Sequence, residues 1–432
     1  MDTQKNTPHV TSYVLRLGSI DFSSKILNLM AGEETFYYYI SPDASVRFLT
    51  VGEIFRKNLA ACSLDDAQKE IFPNHRTISK TDDVEFPLLF LQKMFNKENS
   101  PLWNDFENAV VIPEFVFICR EADSFIIANS YGEVPGIVNK LIHVFATQNI
   151  HPATQKFAPV LTEDVQSKKR WHQSIAEIQS EIESGEIQKA VLSQYKDYTY
   201  TDSPNFDTVL KNLEKQTHTY RFAFRRGKSF VAGASPEKLF SLREQVLYSE
   251  AIAGSTPRGQ SLADDAFLSE ELMNSKKERF EHECVVKFIA TALSKHAQTV
   301  AYNDTPTIKK LLRIMHLRTE IQAKCVNEIK FDDVINDLYP TPATCGEPKE
   351  KAFALINRLE THSRGLYCGL SGWLTNKQNG DFYILLRLAL LKDNHMHVFA
   401  GCGIVHESDA GKEYEESQYK AESIIRLFYD EN

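Results

Sequence analysis

Strand-like segments in this chain come in runs, without a helix between each pair, and that order restricts the folds open to it. Residues 220–225, 229–232 and 238–242 follow one another as short strands, and residues 367–374, 382–391 and 395–400 repeat the pattern further on. Lys377-Gln-Asn-Gly380 between the first two of the later set has the composition of a hairpin turn. A doubly wound fold needs a helix after nearly every strand, so runs of strands favour an α+β fold with large, mainly antiparallel sheets. Residues 110–119 and 124–128 read as paired strands joined through Arg120-Glu-Ala-Asp, and 187–200 alternates as another strand. Helical spacing appears over 167–184, where Trp171, Ile175, Ile178 and Ile182 share a face and Gly185 marks the end. Further helices are expected over 134–145, about 263–297, and from about Gly411. Residues 151–165, with two prolines and little periodicity, read as a connector. They divide the chain into an N-terminal part, residues 1–160, that contributes strands and helices, and a region spanning 165–432.

A formal net charge of −9 argues against a general nucleic-acid binder, which would carry a basic face. An anionic substrate would therefore need local positive charge or a metal ion. No apolar run reaches membrane-spanning length, and the first residues lack the apolar core of a signal peptide. Seven cysteines, scattered singly with no CxxC spacing, speak against a disulfide framework or a zinc site. A cytoplasmic protein with no membrane association is the expectation.

Two acidic patterns then stand out. Glu278-x-x-Glu281 and Glu413-x-x-Glu416 lie more than a hundred residues apart, each in a segment that reads as a helix. Positions i and i+3 share a helix face, so each pattern sets two carboxylates side by side. Such pairs are common on solvated faces; two of them brought together would form an oxygen-rich site for a hard divalent ion, Mg²⁺ above all. Around them stand Ile187-Gln-Lys-Ala-Val-Leu-Ser193, Gly233-Ala-Ser-Pro-Glu-Lys-Leu239, Ile252-Ala-Gly-Ser-Thr-Pro-Arg-Gly259 and Phe399-Ala-Gly-Cys-Gly-Ile-Val405. Lys189 is set among apolar strand neighbours. It either faces solvent or enters a pocket, where desolvation would make it a usable general base. Arg387 stands inside an apolar segment and needs a partner, which could be a substrate carboxylate or one of the protein's own.

In this order and at these separations the motifs resemble those of the chorismate-utilising enzymes, over roughly residues 165–430, with isochorismate synthase as the nearest subgroup. The resemblance implies a sandwich of two sheets flanked by helices, into which the N-terminal part feeds strands. It implies chorismate as the substrate and Mg²⁺ as the cofactor, held chiefly by Glu281 and Glu416, with Glu278 and Glu413 bonding its waters. Lys189 would activate water. Anthranilate-type relatives have glutamine there, so no glutamine amidotransferase subunit is expected. Glu237 would be the general acid for the departing hydroxyl. Ala253 stands where aminodeoxychorismate synthases place a nucleophilic lysine, which disfavours that branch. The substrate would be held by Gly254, Gly401, Gly403, Tyr367, Arg387 and Lys420, with His316 near the reacting ring. Ala343, which is threonine in salicylate synthases, favours stopping at isochorismate over pyruvate loss, the nearest alternative. Tyr339 departs from the histidine usual in the isochorismate subgroup. A catalytically silent binder of a chorismate-like ligand would have no need of both Lys189 and Glu237. The product would enter menaquinone or siderophore synthesis.

Overall fold

The structure, a computed structural model, describes residues 9–18, 33–60, 62–79, 84–96, 100–120, 123–131, 157–164, 168–325 and 329–429. The helix expected over 134–145 lies outside them. Two sheets account for the strands: one of 13 strands and one of 10. Every pairing among the described residues is antiparallel except that of Val10–Gly18 with Arg76–Ser79. This is the α+β fold with large antiparallel sheets that the runs of strands predict, in the two-sheet form that the family resemblance implies.

Both sheets mix early and late parts of the chain. In the larger sheet, Tyr220–Arg226 pairs on one side with Ser229–Ser235 and on the other with Thr35–Ile40. In the smaller one, Pro87–Lys93 pairs with Leu370–Thr375, Phe90 opposite Trp373. Aromatic residues fill the space between them: Tyr39 stacks on Phe48 and Phe240 on Phe382. Asp381 is buried within this layer, where the hydroxyls of Tyr39 and Tyr220 donate to its two oxygens. A second apolar cluster lies under the helices Phe206–Glu214 and Ala410–Ile425, against the 13-stranded sheet.

Four expectations are corrected. The strand anticipated over 110–119 is two, Ala109–Ile112 in the 10-stranded sheet and Phe115–Cys119 in the other, because Pro113 cannot continue the ladder. Residues 382–391 likewise divide into Gly380–Ile384 and Leu388–Lys392, and the chain crosses between sheets at Leu385, Leu386 and Arg387, the last at φ 49°. The long helix is interrupted at Ser275, whose extended backbone ends Leu262–Asn274 and whose side chain caps Lys276–Ser294. Val160–Asp164, read as connector, is an edge strand paired with Lys189–Thr199.

Candidate active site

The two acidic patterns meet. Glu278 lies in the first turn of Lys276–Ser294 and Glu413 in the first turn of Ala410–Ile425, so the positive ends of both helices face one cavity. All four glutamates line it. The backbone N–H of Ser255 donates to Glu278 Oε2 at 2.9 Å. That contact depends on Gly254, whose φ of +76° forms a bulge in the strand Val246–Pro257 and turns Ser255 toward the helix. Lysines share out the negative charge. Lys189 Nζ is 2.5 Å from Glu281 Oε1, Lys277 Nζ is 3.3 Å from Glu413 Oε1, and Lys420 Nζ is 2.7 Å from Glu416 Oε1.

Burial, reinforced by Glu281 and Glu416, raises the pKa of Glu278; burial also raises that of Glu413, against the pull of Lys277. Burial acts the same way on Glu416, but Lys420 outweighs it and the net direction is down. These groups fit a hard divalent cation. The donors are carboxylate oxygens, and burial works against ionisation of two of them, a cost that a bound cation would offset. Cys402 Sγ lies within 4.8 Å of ligand atoms of Glu413 and Glu416. Its thiol is held protonated by burial and donates to the Glu413 carbonyl, so it does not offer the thiolate a softer metal would select.

Lys189 opens the strand Lys189–Thr199 and is 4% exposed. Its side chain crosses the neighbouring strand His395–Ile404 at Gly403, where an added Cβ would come within 2.6 Å of Lys189 Cε. The sequence reading gave Gly403 a backbone contact to substrate; the structure gives it the clearance that lets Lys189 reach Glu281. Glu237 ends the turn after Ser229–Ser235 and is 6% exposed. Burial pushes its carboxyl up to about 7, partly offset by the hydroxyl of Thr341, which donates to Oε1 at 2.8 Å, and by Lys189. Lys309 secures the turn by donating to the Pro236 carbonyl at 3.0 Å and to Glu250 at 2.9 Å.

Arg387 occupies the crossing between sheets, not a strand, and is half-buried. Burial brings its pKa down to about 10, which leaves it cationic at neutral pH. Its guanidinium donates to His316 Nε2 at 2.9 Å. A guanidinium only donates, so Nε2 accepts and the proton sits on Nδ1, beside Ser255 Oγ at 2.9 Å. Burial and then Arg387 hold His316 well below its ordinary pKa, hence neutral. Tyr367, stacked on Phe399, Ala343 and Gly401 complete the wall, and the Gly401 carbonyl accepts from Lys420 at 3.0 Å. Tyr339 does not line the cavity. It lies behind it, its hydroxyl donating to the Cys368 carbonyl at 3.1 Å.

Several contributors escaped the sequence reading. Thr341 and Lys277 lie close in sequence to Ala343 and Glu278, but nothing local marks either as a partner of Glu237 or Glu413. Arg364 is fully buried and forms two bonds to Glu360, at 2.6 and 2.8 Å, while Glu360 Oε1 accepts from Ser193 N and Arg364 donates to the carbonyls of Val191 and Thr344. This pair fastens the Lys189 strand to the loop carrying Ala343. An arginine four residues from an acidic one is a signal that could have been followed, had the buried state been legible.

A cavity lined from both sheets, with cationic side chains and a buried glutamic acid beside clustered carboxylates, has the character of an enzyme site for a small anionic substrate. The chain belongs to the chorismate binding enzyme family, whose profile matches residues 1–428. It is 32% identical over 412 residues to isochorismate synthase MenF of Bacillus subtilis (strain 168), a match covering 90% of this chain and 87% of that one. It is also 33% identical over 259 residues to the salicylate biosynthesis isochorismate synthase of Pseudomonas aeruginosa, covering 60% and 54%. Among solved structures, MenF, the menaquinone-specific isochorismate synthase from Escherichia coli, superposes with a TM-score of 0.82 over 98% of this chain and 95% of its own, at 23% identity. Anthranilate synthase component I from Streptococcus pneumoniae gives 0.70 over 90% and 89%, at 21% identity. Among the described residues, no helix is long and apolar enough to cross a membrane.

Proposed function

We propose that this chain is an isochorismate synthase, converting chorismate to isochorismate with Mg²⁺ bound. The observation that carries the reading is a buried, readily protonated glutamic acid, Glu237, on the cavity wall, together with a buried lysine, Lys189, whose amine reaches Glu281 of the same wall from behind Gly403. Lys189 would take a proton from water as its oxygen bonds to ring C2. The ring double bonds shift, and Glu237 gives its proton to the C4 hydroxyl, which departs as water. Atoms balance as an isomerisation, and the two residues recover their protonation states by exchange with solvent. Arg387 and Tyr367 would hold one substrate carboxylate, with neutral His316 fixing the guanidinium. Glu281 and Glu416, supported by Glu278 and Glu413, would hold the ion. When bound it would neutralise and orient the other substrate carboxylate. Lys189 and a divalent ion would compete for the Glu281 carboxylate.

Water, and not ammonia, as nucleophile fits Lys189 and removes the need for an amidotransferase partner. Ala343 itself brings no hydroxyl to the wall, in keeping with release of isochorismate, which would enter menaquinone or siderophore synthesis. Incubating the purified protein with chorismate and Mg²⁺, with and without a chelator, tests this. Chromatography should show isochorismate that disappears on chelation. Salicylate and pyruvate, or anthranilate with added ammonia, would reassign the chain within the family.

A further inference from the structure

Beside the catalytic cavity lies a second one, and the two share Arg387, Lys420 and Ile424. Five cations line this neighbour: Lys215, Arg313, Arg426, Arg387 and Lys420. Among the described residues no carboxylate does. That composition is unusual on a chain of net charge −9. The nearest glutamates in sequence, Glu214 and Glu422, are exposed and do not line it, and Glu214 is engaged by Arg47 at 2.8 Å.

The cations are also graded in depth. Lys215 and Arg426 are exposed at the rim; Arg313 is half-buried; Arg387 and Lys420, also half-buried, form the wall shared with the catalytic cavity. The framework is fixed: the Arg313 carbonyl accepts from Arg258 N at 3.1 Å and from the Tyr419 hydroxyl at 3.2 Å, and Lys215 Nζ donates to Asn212 Oδ1 at 3.0 Å. Cationic side chains thus line the way from open solvent to the residues assigned to the substrate carboxylates. A small dianion approaching most of this protein's surface meets net repulsion; here it meets attraction.

We infer that this second cavity is the entry vestibule for the anionic substrate, with Lys215, Arg313 and Arg426 capturing a small dicarboxylate and passing it to Arg387 and Lys420. The inference rests on the proposed chorismate reaction. Fields focused by a charged cleft raise association rates by about 10- to 10³-fold and weaken as salt screens them.

The test is a triple variant, Lys215→Gln/Arg313→Gln/Arg426→Gln, compared with a triple variant of equal charge change outside the cavity, Arg16→Gln/Lys69→Gln/Lys351→Gln. At about 20 mM ionic strength the vestibule variant should lose about tenfold in kcat/KM for chorismate, with kcat within about twofold of the parent. The loss should shrink as NaCl rises to about 0.5 M, where the Debye length is only a few ångströms. The control variant should track the parent throughout. Equal kcat/KM and equal salt dependence in all three proteins would overturn the vestibule while leaving the proposed reaction intact. Should the parent not turn over chorismate, equilibrium binding of chorismate decides: weaker binding in the vestibule variant alone upholds the inference without the reaction, and equal or absent binding overturns it. If the triple variant does not fold, the exposed single change Lys215→Gln carries the same comparison with a smaller expected loss.

Discussion

Glu237 is a carboxyl group kept out of water on the side where a hydroxyl must be made to leave. With a pKa near 7 it keeps its proton in about half of the molecules at neutral pH, and activity that depends on it should fall as pH rises through about 7. Glu237→Gln retains an oxygen to accept the Thr341 hydroxyl but has no proton of comparable acidity to give. Turnover should drop by about 10² to 10⁴, the usual range for a general acid. The same substitution has a stability signature. The folded pKa lies above the value of about 4.5 for a free glutamate, so the folded state binds the proton more tightly and parent stability declines between those two pH values. The glutamine variant avoids that decline. It should be more stable than the parent at pH 8 by up to about 3 kcal/mol, with the advantage gone near pH 4, as urea unfolding at the two pH values would reveal. No advantage at pH 8 would mean that the carboxyl is ionised in the folded protein at little cost. Lys189→Ala should lower turnover by about 10² to 10⁴ with the fold preserved. A quieter version is Gly403→Ala, which puts a carbon 2.6 Å from Lys189 Cε and should displace the amine. Misplacement of that order costs up to about 10²-fold in rate, read as a fall in kcat.

At the scale of elements, catalytic charge is organised by two helix beginnings, one packed on each sheet. Their acidic pairs were legible in the sequence because i,i+3 spacing is a local rule that holds wherever the helix ends up. The start of the first helix was not, although Ser275 is a good cap three residues before Glu278; residues 274–279 are all polar, and with neither glycine nor proline among them no breaker marks the interruption. The crossing at Leu385–Arg387 was hidden for a similar reason. Leu385 and Leu388 are both buried, in different surroundings, and a buried run looks alike on either side of a corner. Pro113 did carry a signal for the other crossing, since a proline inside an apparent strand argues against continuity. Lys189, Glu237 and Arg387 could be nominated by motif, whereas Thr341, Lys277 and Lys309 act through contacts between distant segments that no spacing rule encodes. Because the two acidic pairs come from separate helices, Glu281→Ala and Glu416→Ala should each remove most Mg²⁺-dependent activity, with excess Mg²⁺ rescuing either poorly. Titrating Mg²⁺ against activity checks this, and an unchanged half-saturation would return these glutamates to the role of lysine partners alone.

At the scale of the molecule, residues before 160 are built into both sheets and cannot be peeled away from the catalytic region without exposing strand edges. Tyr220–Arg226 would lose Thr35–Ile40, and Leu370–Thr375 would lose Pro87–Lys93. A fragment comprising residues 165–432 should therefore aggregate or fail to unfold cooperatively, whatever activity it is assayed for. A soluble fragment with a sharp thermal transition would show that the C-terminal region closes its sheets unaided. The pairing of Phe90 with Trp373 also has a meaning in time. A ribosome adds about 5–20 residues each second, so the partner of Phe90 arrives some 15 to 55 s after Phe90 itself. Through that interval a leucine-rich strand waits with one edge covered by Ala109–Ile112 and the other open, and the nascent chain needs protection from before Lys189 is made until after His316 has been.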